Sequence, residues 1–171
     1  MSAQIREAIT KLGKVREQDP KKGRSRNPSA TARIAGGLVC DVTGPKGESL
    51  KTDMPAAVGG GATAPSPGWL LRASLAACEA TVIAMRAAQL GVTLKTLEVT
   101  VDTASDVRGM IGMGDKVSPA LDEFRTIVKI GADGVAPKKL REIVEWSGEH
   151  SPIGCTLRHA HEQSRSVEII D

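Results

Sequence analysis

The chain has 171 residues and a mass of 17.9 kDa, which suits one domain with a core of its own. Hydrophobic residues make up 40% and charged residues 25%, which argues against a disordered chain, and one Phe, two Trp and no Tyr argue against a stacking platform for single-stranded nucleic acid. The formal net charge of +3 is too small to indicate a polyanion partner without a local patch.

The N-terminus and the cysteine count both point to a reducing compartment. The first residues carry charges every few positions and lack the apolar core of a signal peptide, and no run approaches the ~20 apolar residues of a membrane span. Cys40, Cys78 and Cys155 are too few, and odd in number, for a secreted disulfide framework. We therefore expect a cytoplasmic protein with no membrane partner.

The N-terminal part predicts a helix followed by a basic linker. The apolar residues recur at spacings of four and three, at Ile5, Ile9, Leu12 and Val15. This spacing indicates an amphipathic helix over 3–17. The linker PKKGRSRNP (20–28) is interpreted as a solvated charge run rather than a nucleic-acid arm. We assign 1–28 to this extension and 29–171 to the domain proper.

A hairpin and a long helix come next. Alternation of apolar and polar residues predicts a strand over 38–42 and a return strand over 50–54, with a turn between them. Ser66 and Pro67 are typical of a helix N-cap and first helical position. The helix that they open carries a single apolar stripe, formed by Leu71, Leu75, Cys78, Val82 and Met85.

The second half of the chain mixes strands and helices without regular alternation. Period-two patterns predict strands over 97–101 and 124–130, and a helix begins at Pro137. The segment 105–120 looks irregular, and 167–170 suggests a last strand. Because strands and helices do not alternate one for one, the pattern favours an α+β fold over a doubly wound α/β fold.

The segment PSPGWLLRASLAAC (65–78) resembles the signature of the OsmC/Ohr family, in which a Pro opens the central helix and small residues lead to a peroxidatic cysteine. SPIGCTL (151–157) resembles the segment that holds the family's second cysteine, and the similarity spans about residues 30–170. The resemblance implies an OsmC-like α+β fold. In it, curved antiparallel sheets surround two central helices in an intertwined homodimer with its sites at the subunit interface. We expect the extra N-terminal helix to pack across the partner subunit.

The resemblance also implies a chemistry. In the family a thiolate attacks a peroxide oxygen and becomes a sulfenic acid, a second cysteine forms a disulfide with it, and an external dithiol reduces that disulfide. An Arg, held in position by a Glu, stabilises the thiolate and the leaving oxygen.

Carried onto this chain, the resemblance makes Cys78 the nucleophile, Arg33 its activator and Cys155 a resolving thiol. Gly68 stands where the family has its Glu, and Ser151 stands at the second cysteine. Cys155 can replace that thiol if the backbone turns helically after Ser151, but it is equally a core residue. Arg33 is equally a solvent-facing strand residue. By pattern alone Cys78 is a passive core cysteine, roughly 16 Å along its helix and too far in for the helix dipole to lower its pKa.

We therefore expect a thiol-dependent peroxidase that reduces small organic hydroperoxides through Cys78 and uses an external dithiol as reductant. Leu71, Leu75 and Val82 would form the apolar wall for the substrate. The alternative is a non-catalytic binder of small apolar or oxidised molecules on the same fold. The loss of the Glu and the serine at the second cysteine position support that alternative.

No cofactor, metal or nucleic acid is expected. The histidines and cysteines lack the spacing of a zinc site. GMIG (109–112) fits the short Gly motif of an RNA-binding KH loop, but Gly and Pro follow it where that loop needs a helix. Neither a phosphate-binding loop nor a dinucleotide fingerprint is present in the sequence.

Overall fold

The computed structural model describes residues 2–159 and 161–170, which form five α-helices, five strands and two short 3-10 helices (Pro20–Gly23 and Ala56–Val58). In chain order the α-helices and strands are α1 (Ser2–Gln18), β1 (Thr31–Gly36), β2 (Val39–Thr43), β3 (Ser49–Thr52), α2 (Pro67–Gln89), β4 (Thr96–Ser105), α3 (Val107–Met110), β5 (Leu121–Gly131), α4 (Pro137–His150) and α5 (Pro152–Arg158). The α+β class is confirmed. The strands form two separate antiparallel sheets, in the orders β1-β2-β3 and β4-β5.

The core lies between the sheet β4-β5 and the helices α2 and α4. Ile83 of α2 and Ile143 of α4 are fully buried at its centre. The strands present alternate residues to these helices, and those that pack on the core include Leu97, Val99, Val128 and Ile130. Paired strands cover one side of α2, while α4 and α5 pack along another. The long apolar helix predicted from the sequence is therefore the central element of the fold.

The N-terminal sheet has one apolar and one polar face. Residues directly opposite one another across the ladder share a face. The register therefore groups six side chains on the apolar face: Ala32, Ile34, Cys40, Val42, Leu50 and Thr52. Within the described single chain this sheet makes no extensive contact with the helices or with β4-β5. Ile34 is consequently 65% exposed and Leu50 42% exposed.

Helix α1 confirms the predicted N-terminal helix and packs against α2 of its own chain. Ile5 and Ile9 are half-buried, whereas Leu12 is 54% and Val15 45% exposed. Only the first half of the apolar stripe is therefore partly buried within the chain. Packing of this helix across a partner subunit stays a prediction.

Three local expectations were wrong. Strand β1 was missed, because TARIAG alternates only weakly. The short helix α3 lies inside the segment 105–120 that looked irregular. Residues 161–170 form neither helix nor strand, although 167–170 alternate, because alternation predicts a strand only where another strand edge is free to pair.

Helix α2 is long and apolar enough to cross a membrane by length and composition alone. The expectation that no run approaches the length of a membrane span was therefore wrong for this helix. The core helix of a soluble protein passes the same test. The packing of α2 against β4, α1, α4 and α5 is that of a core helix.

Candidate active site

The thiol of Cys78 contacts the junction between the helices α4 and α5. Cys78 lies half-buried in the middle of α2, and Ser151 is the single residue that separates α4 from α5. Ser151 is fully buried, and its Oγ donates a hydrogen bond to Cys78 Sγ at 3.3 Å. The same Oγ accepts a hydrogen bond from Gly154 N at 3.2 Å and so caps the start of α5. The residue at the second cysteine position thus contacts the predicted nucleophile.

Helix α5 packs closely on α2 at Gly154. A Cβ at position 154 would lie 2.9 Å from Glu79 Oε1 and 3.2 Å from Ser151 Oγ. A larger residue there requires the end of the Glu79 side chain to move. Glu79, the neighbour of Cys78, is buried against this glycine and only 7% exposed.

Cys78 opens onto a cavity of about 560 Å³ between α2 and the end of α4. Its walls are mostly hydrocarbon, and the lining consists of Ala77, Cys78, Thr81, Val82, Met85, Gln89, Trp146, His150 and Pro152. Of the three residues predicted to form the substrate wall, Val82 lines the cavity and Leu71 and Leu75 do not. Leu75 is instead part of the core, at 5% exposure, because it lies on the other edge of the apolar stripe.

One wall of the cavity is an aromatic stack that sequence reasoning missed. The His150 ring lies 3.7 Å from the Trp146 ring, centroid to centroid, with 11° between the planes. His150 Nδ1 lies 2.7 Å from the carbonyl oxygen of Trp146. Arg86 places its Cζ 4.3 Å from the centre of the same indole ring. Two groups this close cannot share one face of a ring, so Arg86 and His150 hold Trp146 between them.

Cys155 lies on α5, so the backbone after Ser151 is helical, as a resolving role would require. Its side chain is not part of the cavity lining. The Cys155 Sγ donates to the carbonyl oxygen of Glu149 at 3.1 Å, and Arg158 Nη2 lies 3.2 Å from the same sulfur. In this arrangement Cys155 contacts backbone and guanidinium groups rather than the Cys78 cavity.

Arg33 lies on the polar face of the N-terminal sheet, directly opposite Asp41. Asp41 pairs with Lys51 on the same face. Arg33 is exposed and does not line the cavity of its own chain. Any contact between Arg33 and Cys78 therefore has to come from a second subunit.

Gly68, the position at which the resemblance places the family's Glu, lies near an arginine. A Cβ built at Gly68 would lie 3.8 Å from Arg72 Nη1, at ordinary van der Waals distance. Space for a side chain is therefore present, but the chain places no carboxylate there. Arg72 instead donates to Thr103 Oγ1 at 3.3 Å.

A buried carboxylate in the preceding loop also escaped sequence reasoning. Asp53 is 1% exposed and accepts hydrogen bonds from the backbone N–H groups of Met54, Gly61 and Thr63 and from the Thr63 hydroxyl. The pKa of Asp53 lies below its ordinary value of 3.8, chiefly through the bonds from Thr63. Together with Trp69 and Arg72, Asp53 lines a second hollow of about 360 Å³ at the start of α2.

No group of three His, Cys, Asp or Glu side chains suited to hold a metal occurs within 2–159 and 161–170. The site has a thiol on a central helix, a buried hydroxyl in contact with that thiol and an apolar cavity beside it. These features define the class as α+β proteins with a thiol-centred site.

The chain belongs to the OsmC-like protein family, whose sequence model it matches over residues 59–163, more than half of its length. The resemblance seen in the sequence is thereby confirmed. An OsmC-like protein from Mycoplasma pneumoniae has a similar structure, with a TM-score of 0.67 and 17% identity over 79% of this chain and 89% of that one. An osmotic stress induced and detoxification response protein from Psychrobacter arcticus gives 0.61 and 18%, over 78% and 90% of the two chains.

The organic hydroperoxide resistance protein OhrB of Bacillus subtilis gives a TM-score of 0.53 at 21% identity, over 78% of this chain and 91% of that one. At these identities the likeness shows the OsmC fold and no more. A search of curated protein sequences gives no significant match.

Proposed function

We propose that this protein reduces small organic hydroperoxides with Cys78 as the nucleophile. The observation that carries the proposal is the position of the Cys78 sulfur, which lies between a buried hydroxyl donor and an apolar cavity. The Ser151 hydroxyl donates a hydrogen bond to this sulfur at 3.3 Å. The cavity suits an organic group better than an ion. The name of the Bacillus subtilis relative, an organic hydroperoxide resistance protein, supports the same substrate class.

The reaction is a displacement at oxygen. The Cys78 thiolate attacks the terminal oxygen of R–O–O–H, a sulfur–oxygen bond forms and the oxygen–oxygen bond breaks. Sulfur is oxidised to the sulfenic acid and the peroxide is reduced to an alkoxide, which takes up a proton and leaves as the alcohol.

An external dithiol completes the cycle in this proposal. Ser151 occupies the contact position next to Cys78, and a hydroxyl cannot form a disulfide with a sulfenic acid. One thiol of the reductant condenses with Cys78–S–OH and releases water, and its second thiol then displaces Cys78 as a free thiol. Cys155 is the alternative partner, and a disulfide between the two cysteines requires its side chain to leave Glu149 and Arg158.

The test is the intact mass of the reduced protein after brief exposure to one equivalent of an organic hydroperoxide, followed by peptide mapping. We expect one added oxygen on Cys78, trapped by a sulfenic-acid reagent. Cys78→Ser abolishes the modification, whereas Cys40→Ser, on the separate N-terminal sheet, leaves it unchanged. A Cys78–Cys155 disulfide would assign Cys155 as the resolving thiol. If all three thiols stay unmodified while a control peroxidase reacts, the protein is a non-catalytic binder of apolar or oxidised molecules.

We further propose that the working form is a cytoplasmic, intertwined homodimer. The apolar face of the N-terminal sheet has no cover within the described chain, and a second copy would bury it. Arg33 lies on the other face of this sheet, so its contact with the Cys78 site of a second subunit is a separate expectation of the dimer.

A further inference from the structure

We propose that His150 is the proton-transfer residue of the Cys78 site, an inference that rests on the proposed hydroperoxide reduction. The need for such a residue follows from the reaction itself. The attack requires a proton to leave the Cys78 thiol and a proton to reach the departing alkoxide.

His150 and Cys78 line the same cavity, and no other titratable side chain of the described residues does so. His150 immediately precedes Ser151, whose Oγ touches Cys78 Sγ. The backbone at the α4–α5 junction thus places a hydroxyl on the thiol and an imidazole in the wall of the same cavity. A substrate that fills the cavity to reach Cys78 contacts His150 as well.

The ring of His150 is held in one orientation with one nitrogen available. Its Nδ1 bonds the carbonyl oxygen of Trp146, which accepts only, so Nδ1 carries a proton. Nε2 is then the nitrogen that gains and loses a proton. Stacking on Trp146 fixes the ring plane, and the carbonyl bond fixes its rotation. A fixed ring is what a proton donor needs to act on a departing oxygen.

Charged groups of two neighbouring helices contact the end of α4 that carries His150. Arg86 of α2 lies against the Trp146 ring, and Arg158 of α5 bonds the carbonyl oxygen of Gly148. Glu149 is the neighbour of His150 in α4. These charges of both signs lie outside the lining of the cavity, so His150 is the group that exchanges protons inside it.

The proton balance is closed within the site. Neutral His150 takes the proton of the Cys78 thiol onto Nε2, which gives a thiolate and an imidazolium. The thiolate attacks the terminal peroxide oxygen, and the imidazolium returns the proton to the leaving alkoxide. The products are Cys78–S–OH, R–OH and neutral His150, and no further oxidant or reductant takes part.

The experiment compares two oxidants whose leaving groups differ in their need for a proton. Rapid-quench mass spectrometry measures the rate constant for oxidation of Cys78 by tert-butyl hydroperoxide and by peracetic acid. The first releases a basic alkoxide, whereas the second releases a carboxylate that needs no protonation. The variant is His150→Gln. Its matched control is His159→Gln, because His159 makes the same 2.7 Å contact to the carbonyl oxygen four residues earlier but does not line the cavity.

We expect His150→Gln to slow the alkyl hydroperoxide about 100-fold, the usual scale of general acid–base catalysis. Peracetic acid is slowed clearly less, because its reaction needs the removal of the Cys78 proton but no proton on the leaving group. His159→Gln behaves as the wild type with both oxidants.

A uniform slowing of both oxidants by His150→Gln, or no slowing, overturns the inference while leaving the proposed function intact. A wild-type protein whose Cys78 reacts with neither oxidant overturns the proposed function itself. The peracetic acid rate also shows whether the variant keeps a folded, accessible site.

Discussion

In the proposed reaction, Ser151 determines what an oxidised Cys78 can do next. Its side chain is fully buried, and its hydroxyl has two roles at one point: it caps α5 and donates to the sulfur. Replacing the oxygen by sulfur keeps the size nearly constant. It also places a thiol at the one position that already touches Cys78.

We predict that Ser151→Cys in a Cys155→Ser background forms a disulfide with Cys78 after one equivalent of hydroperoxide. The 3.3 Å contact between Ser151 Oγ and Cys78 Sγ places the substituted thiol next to the sulfur with which it reacts. Peptide mapping under non-reducing conditions detects the bond. The Cys155→Ser protein alone serves as the control and forms none. Persistence of a free sulfenic acid in the double variant would contradict the contact seen here.

The residues of the site were only partly predictable from the sequence. Cys78 and Val82 follow from the apolar stripe of one helix, where spacing determines the face. Trp146 and His150 were not assigned to the site, because they come from another helix and no periodicity relates α4 to α2. Their proximity depends on how the two helices pack, which a single sequence does not encode in a local pattern.

At the scale of elements, the loop before α2 sets where the central helix begins. Ser66 accepts a hydrogen bond from Trp69 N at 3.2 Å, the N-cap that the sequence predicts. At the other end of the loop, Asp53 accepts four hydrogen bonds, three of them from backbone N–H groups. Those donors need an ionised acceptor, because a protonated carboxyl accepts less strongly.

Asp53 gives the stability of the fold a defined pH dependence. Its pKa is lowered in the folded state, so its contribution is complete above the ordinary pKa of 3.8 and is lost as the pH falls through the lower folded value. We predict that Asp53→Asn lowers Tm at neutral pH and that the deficit shrinks below about pH 4. Thermal unfolding at a series of pH values measures this.

The matched control is Asp133→Asn. That carboxylate pairs with Lys95 at the surface, and its side chain is 83% exposed. An exposed pair contributes little, so the control keeps the wild-type Tm at every pH. Equal Tm values for Asp53→Asn and the control at neutral pH would rule out the anchoring role of Asp53.

Elements with a strong hydrophobic periodicity were predicted correctly from the sequence. Elements whose structure depends on pairing with another strand were not. Helix α2, helix α4 and the strands β4 and β5 each carry an apolar face that the sequence shows directly. Strand β1 forms because β2 is available to pair with it, although its own alternation is weak. The segment 167–170 has good alternation and no such neighbour, so it stays unpaired.

At the scale of the whole molecule, the N-terminal sheet is amphipathic but uncovered. Its polar face carries Arg33 and the pair between Asp41 and Lys51, and its apolar face carries Ile34 and Leu50. Strands of this kind are stable when the apolar face is buried. The proposed homodimer supplies that cover.

We predict that Ile34→Glu shifts the protein from dimer to monomer, because it would bury a charge in the interface. Sedimentation velocity at several protein concentrations measures the shift. Thr31→Glu adds the same charge to the opposite face of the same strand and leaves the dimer intact. A wild-type protein that sediments as a monomer, or an Ile34→Glu protein that sediments as the wild type does, would count against the interface.

The hydroxyl at position 151 also has a consequence for turnover. In the proposed cycle, Ser151 rather than a second thiol contacts Cys78. The sulfenic acid of Cys78 therefore persists until a molecule of the external dithiol reacts with it. The proposed cycle is then first order in the external dithiol, and at low dithiol concentration most of the protein accumulates in its oxidised form. The concentration of reducing thiols around the protein, rather than that of peroxide, would set how often each molecule completes a cycle.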